Sequence, residues 1–274
     1  VSPAIIPKNI NTKTDPPKIA KPIRCMASIA GNNHKESLTK LPMKPCSKSS
    51  KKKNLKMFEH VIRTPFDMKP VFTQCNNPKF SANDVHLEIQ KQRRIELNNL
   101  GQDIWFETDV AKEEKLAERT AATLGLFNYS MDDDYQLFTE CNNIKDLGLA
   151  IEDDVVIMHK GKLEACFVAF PSSWNAGEKV GKTLNELHEP IADNEALVRA
   201  SEGIMRAMSS GQSFHRYTWG ISSLSGYSNH PSYERPDFDS LDELTFRVEH
   251  ERTATVIKDT TAVFLIHVDI YPLK

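Results

Sequence analysis

The first 56 of the chain's 274 residues contain no Phe, Tyr or Trp. They hold two acids, Asp15 and Glu36, against 13 lysines and arginines, together with seven of the 15 prolines. Such a stretch has too little apolar surface to offset the entropy lost on ordering. Residues 1–56 are therefore expected to be a disordered basic tail, ending in Lys48-Ser49-Ser50-Lys51-Lys52-Lys53. A lysine block of this kind reads as a solvated extension, a nuclear or anionic-surface address, or an organelle-targeting segment. Transit peptides favour arginine, and the tail has only Arg24.

Other absences narrow the remainder. No apolar run approaches 18 residues, so no membrane-spanning helix is expected. The five cysteines (25, 46, 75, 141, 166) are odd in number and form no CxxC pair. This argues against a disulfide framework or a thiolate zinc site and suits a reducing, cytoplasmic setting. GxGxxG, Walker A, GxSxG and HExxH are all missing. Nucleotide, acyl-transfer and zincin readings lose their usual signatures. No repeat of 20–50 residues is present. Residues 57–274 carry 22 bases and 35 acids, an acidic balance that does not suit a nucleic-acid ligand. They are expected to form one domain with an ample core.

Within that domain, residues 84–99 and 110–125 are polar with apolar stripes and Glu/Lys pairs. This pattern predicts an N-terminal helical portion of two helices. Asp154–His159 and Leu163–Phe170, separated by Lys160-Gly161-Lys162, predict a β-hairpin closed by Pro171-Ser172-Ser173-Trp174. Thr183 precedes Glu186 at capping-box spacing, and Pro190 disfavours helix at Glu189. A single-turn helix ending near His188 follows from this. Leu197, Ala200, Ile204 and Ala207 recur at helical spacing over 194–208, with Gly211 near the stop. Ser213–Ser222, Leu241–His250 and Ala262–Ile270 alternate as strands, with Arg252–Lys258 as a further pairing run and a turn-rich loop at 223–240. Short helices between an opening hairpin and a closing antiparallel set predict an α+β fold, with helices on one face of the sheet. A doubly wound parallel sheet would need a helix after nearly every strand.

Several side chains are candidates for chemistry. An imidazole at His188 suits a metal or cofactor ligand, an acid–base group or a surface helix cap. Arg247 and Glu249 share a strand face, with Arg252 beyond. They read as an anion clamp in which Glu249 orients the guanidinium, or as a solvated sheet face. Arg216, beside Tyr217 and Trp219, suits cation–π packing on a cofactor or an ordinary amphipathic strand. Trp174 could wall a cofactor slot or plug a core edge. Cys166 reads as a buried small hydrophobe, and Asp132-Asp133-Asp134 as a loop without EF-hand spacing.

Taken in order, FPSSW (170–174), EKVGKTLNELHEPI (178–191), RYTW (216–219) and FRVEHERTATVIKDTTAVFLIHVDIYPL (246–273) form a recognisable series. The series resembles the haem-dependent oxidative N-demethylase alpha subunit-like family over roughly residues 130–273. Leu187 stands where the family usually has Ile, and His250-Glu251-Arg252 where a glutamine is common. The resemblance implies a PAS-like antiparallel sheet with short helices forming a haem pocket. The implied activity is a monooxygenase-type reaction. A methyl group leaves a small secondary amine such as dimethylamine as formaldehyde, with O2 and NADPH-derived electrons. Those electrons would come through a separate reductase, since the cysteines here lack ferredoxin spacing. Haem needs an axial ligand, cations for two propionates and an apolar slot. The resemblance assigns His188 to the iron and Arg216, Arg247 and Lys179 to the propionates, with Trp174 and Trp219 as further cofactor contacts. Glu249 and Arg247 are the candidate catalytic pair, with Glu249 either orienting Arg247 or neutralising an ammonium substrate. A haem-binding gas or redox sensor, or a non-catalytic binding protein, is the alternative on the same fold.

Overall fold

A computed structural model of the chain describes residues 72–76, 86–126, 141–189 and 194–273. The basic tail, Asp132–Asp134 and Pro190 lie outside the described residues. Seven strands form one sheet in the order β1-β5-β6-β7-β3-β4-β2, and every neighbouring pair is antiparallel. They are β1 (Thr73–Cys75), β2 (Trp105–Glu107), β3 (Asp154–His159), β4 (Lys162–Phe167), β5 (Ser213–Ser222), β6 (Thr245–Ile257) and β7 (Thr261–Pro272). Six α-helices accompany them among the described residues: α1 (His86–Leu100), α2 (Asp109–Glu113), α3 (Leu116–Thr123), α4 (Ile144–Ala150), α5 (Leu184–His188) and α6 (Glu195–Met208). The fold is α+β, as expected.

The β3–β4 hairpin turns at Lys160 and Gly161, with φ of 48° and 82°. Two consecutive left-handed residues give the turn whose twist matches paired strands. The runs expected as separate strands at 241–250 and 252–258 join into one 13-residue strand, β6. Its first three expected residues instead make a 3-10 turn, Leu241–Glu243, capped by Ser240. The expected helix at 110–125 is two helices, broken where Lys115 takes φ 52°. Ala111 and Leu116 are both fully buried. Five residues apart, they would lie about 140° apart around one continuous helix. The left-handed break turns both inward.

Helices lie on both faces of the sheet, which corrects the one-sided arrangement expected from element order. Successive β3 residues point to opposite faces. Val155 and Ile157 join a core with Leu116, Ile144 and Leu147 of α3 and α4. Val156 and Met158 join a second core with Leu184 of α5, against which Ile204 and Met205 of α6 pack. The short helix α4 and the strands β1 and β2 had no signal in the sequence pattern. Gly148 lets α4 approach β4 so closely that a Cβ there would come within 2.2 Å of the Phe167 ring.

Two buried charge groups tie helices and strands together. Arg93 of α1 is fully buried and meets the Asp154 carboxylate at 2.7 Å. It also donates to the carbonyls of Gly148, Glu152 and Asp153. Its guanidinium lies over the Phe167 and Phe170 rings. On β6 and β7, Arg252 reaches Asp153 at 2.6 Å, and His267 stands 3.3 Å from Asp153 and 3.7 Å from Asp269. Burial works against a charge on His267, but the two carboxylates outweigh it and push its pKa up to about 10. Burial, then Arg252 and His215, push the directly opposite His250 down to about 4.

Replacing Arg93 with Ala leaves the buried Asp154 carboxylate with the Ala169 and Phe170 N–H groups but no counter-charge, so a loss of about 3–5 kcal/mol is expected in urea unfolding. For His267 the folded pKa lies above the unfolded value of 6.5. Its stabilisation is complete below pH 6.5 and is lost as pH rises toward about 10. Unfolding free energies at pH 7, 8.5 and 10 should therefore fall more steeply in the natural chain than in His267→Gln. Equal slopes would show that the histidine carries no such charge.

Candidate functional site

The site lies on the sheet face covered by α5 and α6. Thr183 and Glu186 form the expected capping box, with the Thr183 N–H donating to the Glu186 carboxylate at 2.8 Å and the Glu186 N–H returning to Thr183 Oγ1 at 3.4 Å. This lets a five-residue helix hold its shape, and buried Leu184 pins it to the sheet. Asn194 Nδ2 closes the far end by donating to the carbonyls of His188 and Glu189.

His188 is the last residue of α5. Its Nδ1 lies 2.7 Å from the Leu184 carbonyl. A carbonyl only accepts, so Nδ1 carries the proton and Nε2 keeps its lone pair. Burial lowers the pKa, and the nearby Arg216 and Lys179 add to this against the Leu184 bond and Glu251. The ring is held neutral, in one tautomer, with the Nε2 lone pair left to accept. Trp174, Leu187, Ile204, Met205, Phe264 and Ile266 pack against the apolar cluster to which Leu184, one turn before His188, belongs.

The sheet supplies charges to this face. Cross-strand register sets Gly220 opposite Arg247, Thr218 opposite Glu249 and Arg216 opposite Glu251 on β5 and β6. Arg216 holds the Glu251 carboxylate through Nε and Nη2. The Phe72 ring lies 5.0 Å from its guanidinium. Arg247 is 3 % exposed. Its Nε bonds Ser172 Oγ at 3.0 Å and Glu249 at 3.2 Å, and its two Nη atoms donate to the carbonyls of Tyr227 and Phe170. Glu249 also accepts from Ser172 and, at 3.2 Å, from Thr218. The Phe170–Trp174 corner is thus fastened to the sheet through Arg247 and Ser172.

His188, Arg216, Arg247, Glu249 and Trp174 share this face. Lys179 belongs to the 3-10 turn Ala176–Lys179, near enough to depress the His188 pKa. Burial, with Lys182 beside it, lowers the pKa of Lys179 itself. Trp219 points the other way, paired with Val248 and set against Phe246 at 5.5 Å between ring centres. Glu251, Ser172 and Thr218 were not singled out from the sequence. Period-2 alternation along Arg247, Glu249 and Glu251 was the available signal for Glu251. Ser172 has no local signal, because a distant loop and strand bring its partners. Cys166 is fully buried, and burial raises its thiol pKa, as a packing residue requires. Among the described residues no group of His, Cys, Asp and Glu forms a protein-only metal cage.

A neutral imidazole with one free nitrogen, an apolar surround and nearby cations is the donor set of a metalloporphyrin or other flat, anionic, metal-bearing ligand. Thr183→Ala removes the cap and should cost about 1 kcal/mol in denaturant unfolding. The His188 environment should change with it, read from the imidazole signals in proton–nitrogen NMR. Unchanged signals would show that the capping box does not position this ring.

No curated protein matches the chain. A family does match, described as haem-dependent oxidative N-demethylase, alpha subunit-like, over residues 106–274. The match runs from β2 to the end of the chain and takes in α5, α6 and the charged face of β5 and β6. It covers more than half of the chain, and the protein therefore belongs to the haem-dependent oxidative N-demethylase alpha subunit-like family.

Proposed function

We propose that this chain is a haem-binding oxidoreductase subunit that removes a methyl group from a small secondary amine. It would use O2 and electrons supplied by a separate reductase, and release formaldehyde. The family gives the haem dependence and the oxidative character. The observation that carries the site is His188, whose Nδ1 is committed to the Leu184 carbonyl while Nε2 keeps its lone pair. His188 would hold the iron, and Lys179 and Arg216 would meet the propionates. Trp174 and the side chains around it would supply the apolar slot. Bound haem supplies the redox-active iron at which oxygen is activated. The remaining work belongs to the chain. The α5 helix would fix the ligand's tautomer, and the apolar side chains packed on that face would limit water there. Arg247 holds the Phe170–Trp174 corner against the sheet, with Glu249 and Ser172 completing that clamp.

A gas or redox sensor is the second reading. Both carboxylates of this face are paired with arginines, so neither stands unpaired to meet an ammonium group.

The haem claim is checked by adding haemin to the purified chain and recording a Soret band. His188→Ala is expected to lose or shift that band, and an unchanged spectrum would remove His188 as ligand. Reduced, haem-loaded protein given O2 and dimethylamine should release formaldehyde. Ligand binding with no formaldehyde from any of several small methylamines would favour the sensor.

A further inference from the structure

The cations and carboxylates that β5 and β6 bring to the α5/α6 face are already matched. Arg216 pairs with Glu251, and Arg247 with Glu249. An anionic ligand therefore meets guanidinium groups whose charge is spent. We propose that Glu251 is the resident counter-ion of Arg216, and that a carboxylate ligand of this face binds by taking the place of Glu251. This rests on the haem reading, and it sets how the cofactor's carboxylates are received.

Arg216 and Glu251 are a direct cross-strand pair, 11 % and 9 % exposed. Glu251 takes two of the three guanidinium nitrogens, Nε and Nη2. The Phe72 ring stands over the guanidinium. An arginine buried to this degree without a counter-ion would be strongly destabilising, so the carboxylate supports the fold before any ligand arrives. The same carboxylate cancels the attraction that Arg216 would exert on a propionate. Arg247 is no substitute, because Ser172, Glu249 and two backbone carbonyls occupy all three of its nitrogens. Lys179 makes no ion pair among the described residues and can take one carboxylate without displacing another. The second meets Arg216, where Glu251 already holds Nε and Nη2, and a full two-pronged pairing there requires Glu251 to give way. The chain carries its own counter-ion, and it grips its cofactor more weakly than an unpaired arginine would.

The test is Glu251→Gln, which keeps the shape and removes the charge. Full-length protein is titrated with haemin by Soret absorbance, and haem loss is timed by transfer to apomyoglobin. Exchange predicts binding about tenfold or more tighter in Glu251→Gln, the scale of a regained charge-assisted contact. It predicts that this gain vanishes in an Arg216→Ala background. Equal or weaker binding by Glu251→Gln overturns the proposal, as does a gain that survives without Arg216. Should Glu251→Gln fail to fold alone, refolding with haemin is expected to rescue it, since a propionate then supplies the missing charge. Failure of that rescue counts against the proposal. Natural protein that binds no haemin ends the haem reading and this proposal together. Haemin bound equally by both proteins ends only this one.

Discussion

Strand β6 is packed on both sides, so each charge it carries must be answered inside the protein. Arg247, Glu251 and Arg252 are all less than a tenth exposed. A buried charge without a partner costs several kcal/mol, so such positions survive only where opposite charges or polar groups are delivered to them. Glu249 of the same strand pairs with Arg247, and neighbouring elements supply the rest. Ser172 and the carbonyls of Phe170 and Tyr227 come to Arg247 from the two loops beside it. Arg216 comes to Glu251 from β5, and Asp153 comes to Arg252 from the approach to β3. These contacts also hold the register. Sliding β6 by one residue would carry every one of these groups to the wrong face.

The elements readable from sequence are those whose signal is local. The Lys160-Gly161 turn, the Thr183/Glu186 cap and the alternation through 213–222 each depend on neighbours a few residues apart. What stayed hidden depends on distant partners. The strand Trp105–Glu107 is three residues long and exists because β4 offers it an edge. The break at Lys115 answers to the core beneath it. Helices on both faces could not be inferred from element order, since that order says nothing about which side each connection crosses. The place of His188 at the end of a single-turn helix was legible because a cap precedes it and a proline follows. The pairing of Arg216 with Glu251 was not, because it requires the β5–β6 register, fixed across 35 residues of sequence.

The two faces of the sheet divide the labour. One holds the larger core, built on α1, α3 and α4, with Arg93 laid over two of its rings. The other is thinner, with a five-residue helix and an amphipathic α6 over a smaller cluster. A site for a sizeable ligand is easier to keep where helices are short and end-capped than where long side chains interlock. The family match spans both faces and includes everything that positions His188.

At the margin of the sheet, β1 accompanies β5 only from Ser213 to His215. Beyond that point, among the described residues, no strand runs along the outer side of β5. Tyr217 and Ile221, two of its outward side chains, are 41 % and 55 % exposed. A strand in this condition keeps half of its main-chain donors and acceptors turned outward, without the lysines or proline that normally discourage company. Among the described residues, this border thus offers other polypeptides an unpaired strand edge, which begins one residue past the stretch paired with β1 and includes Arg216.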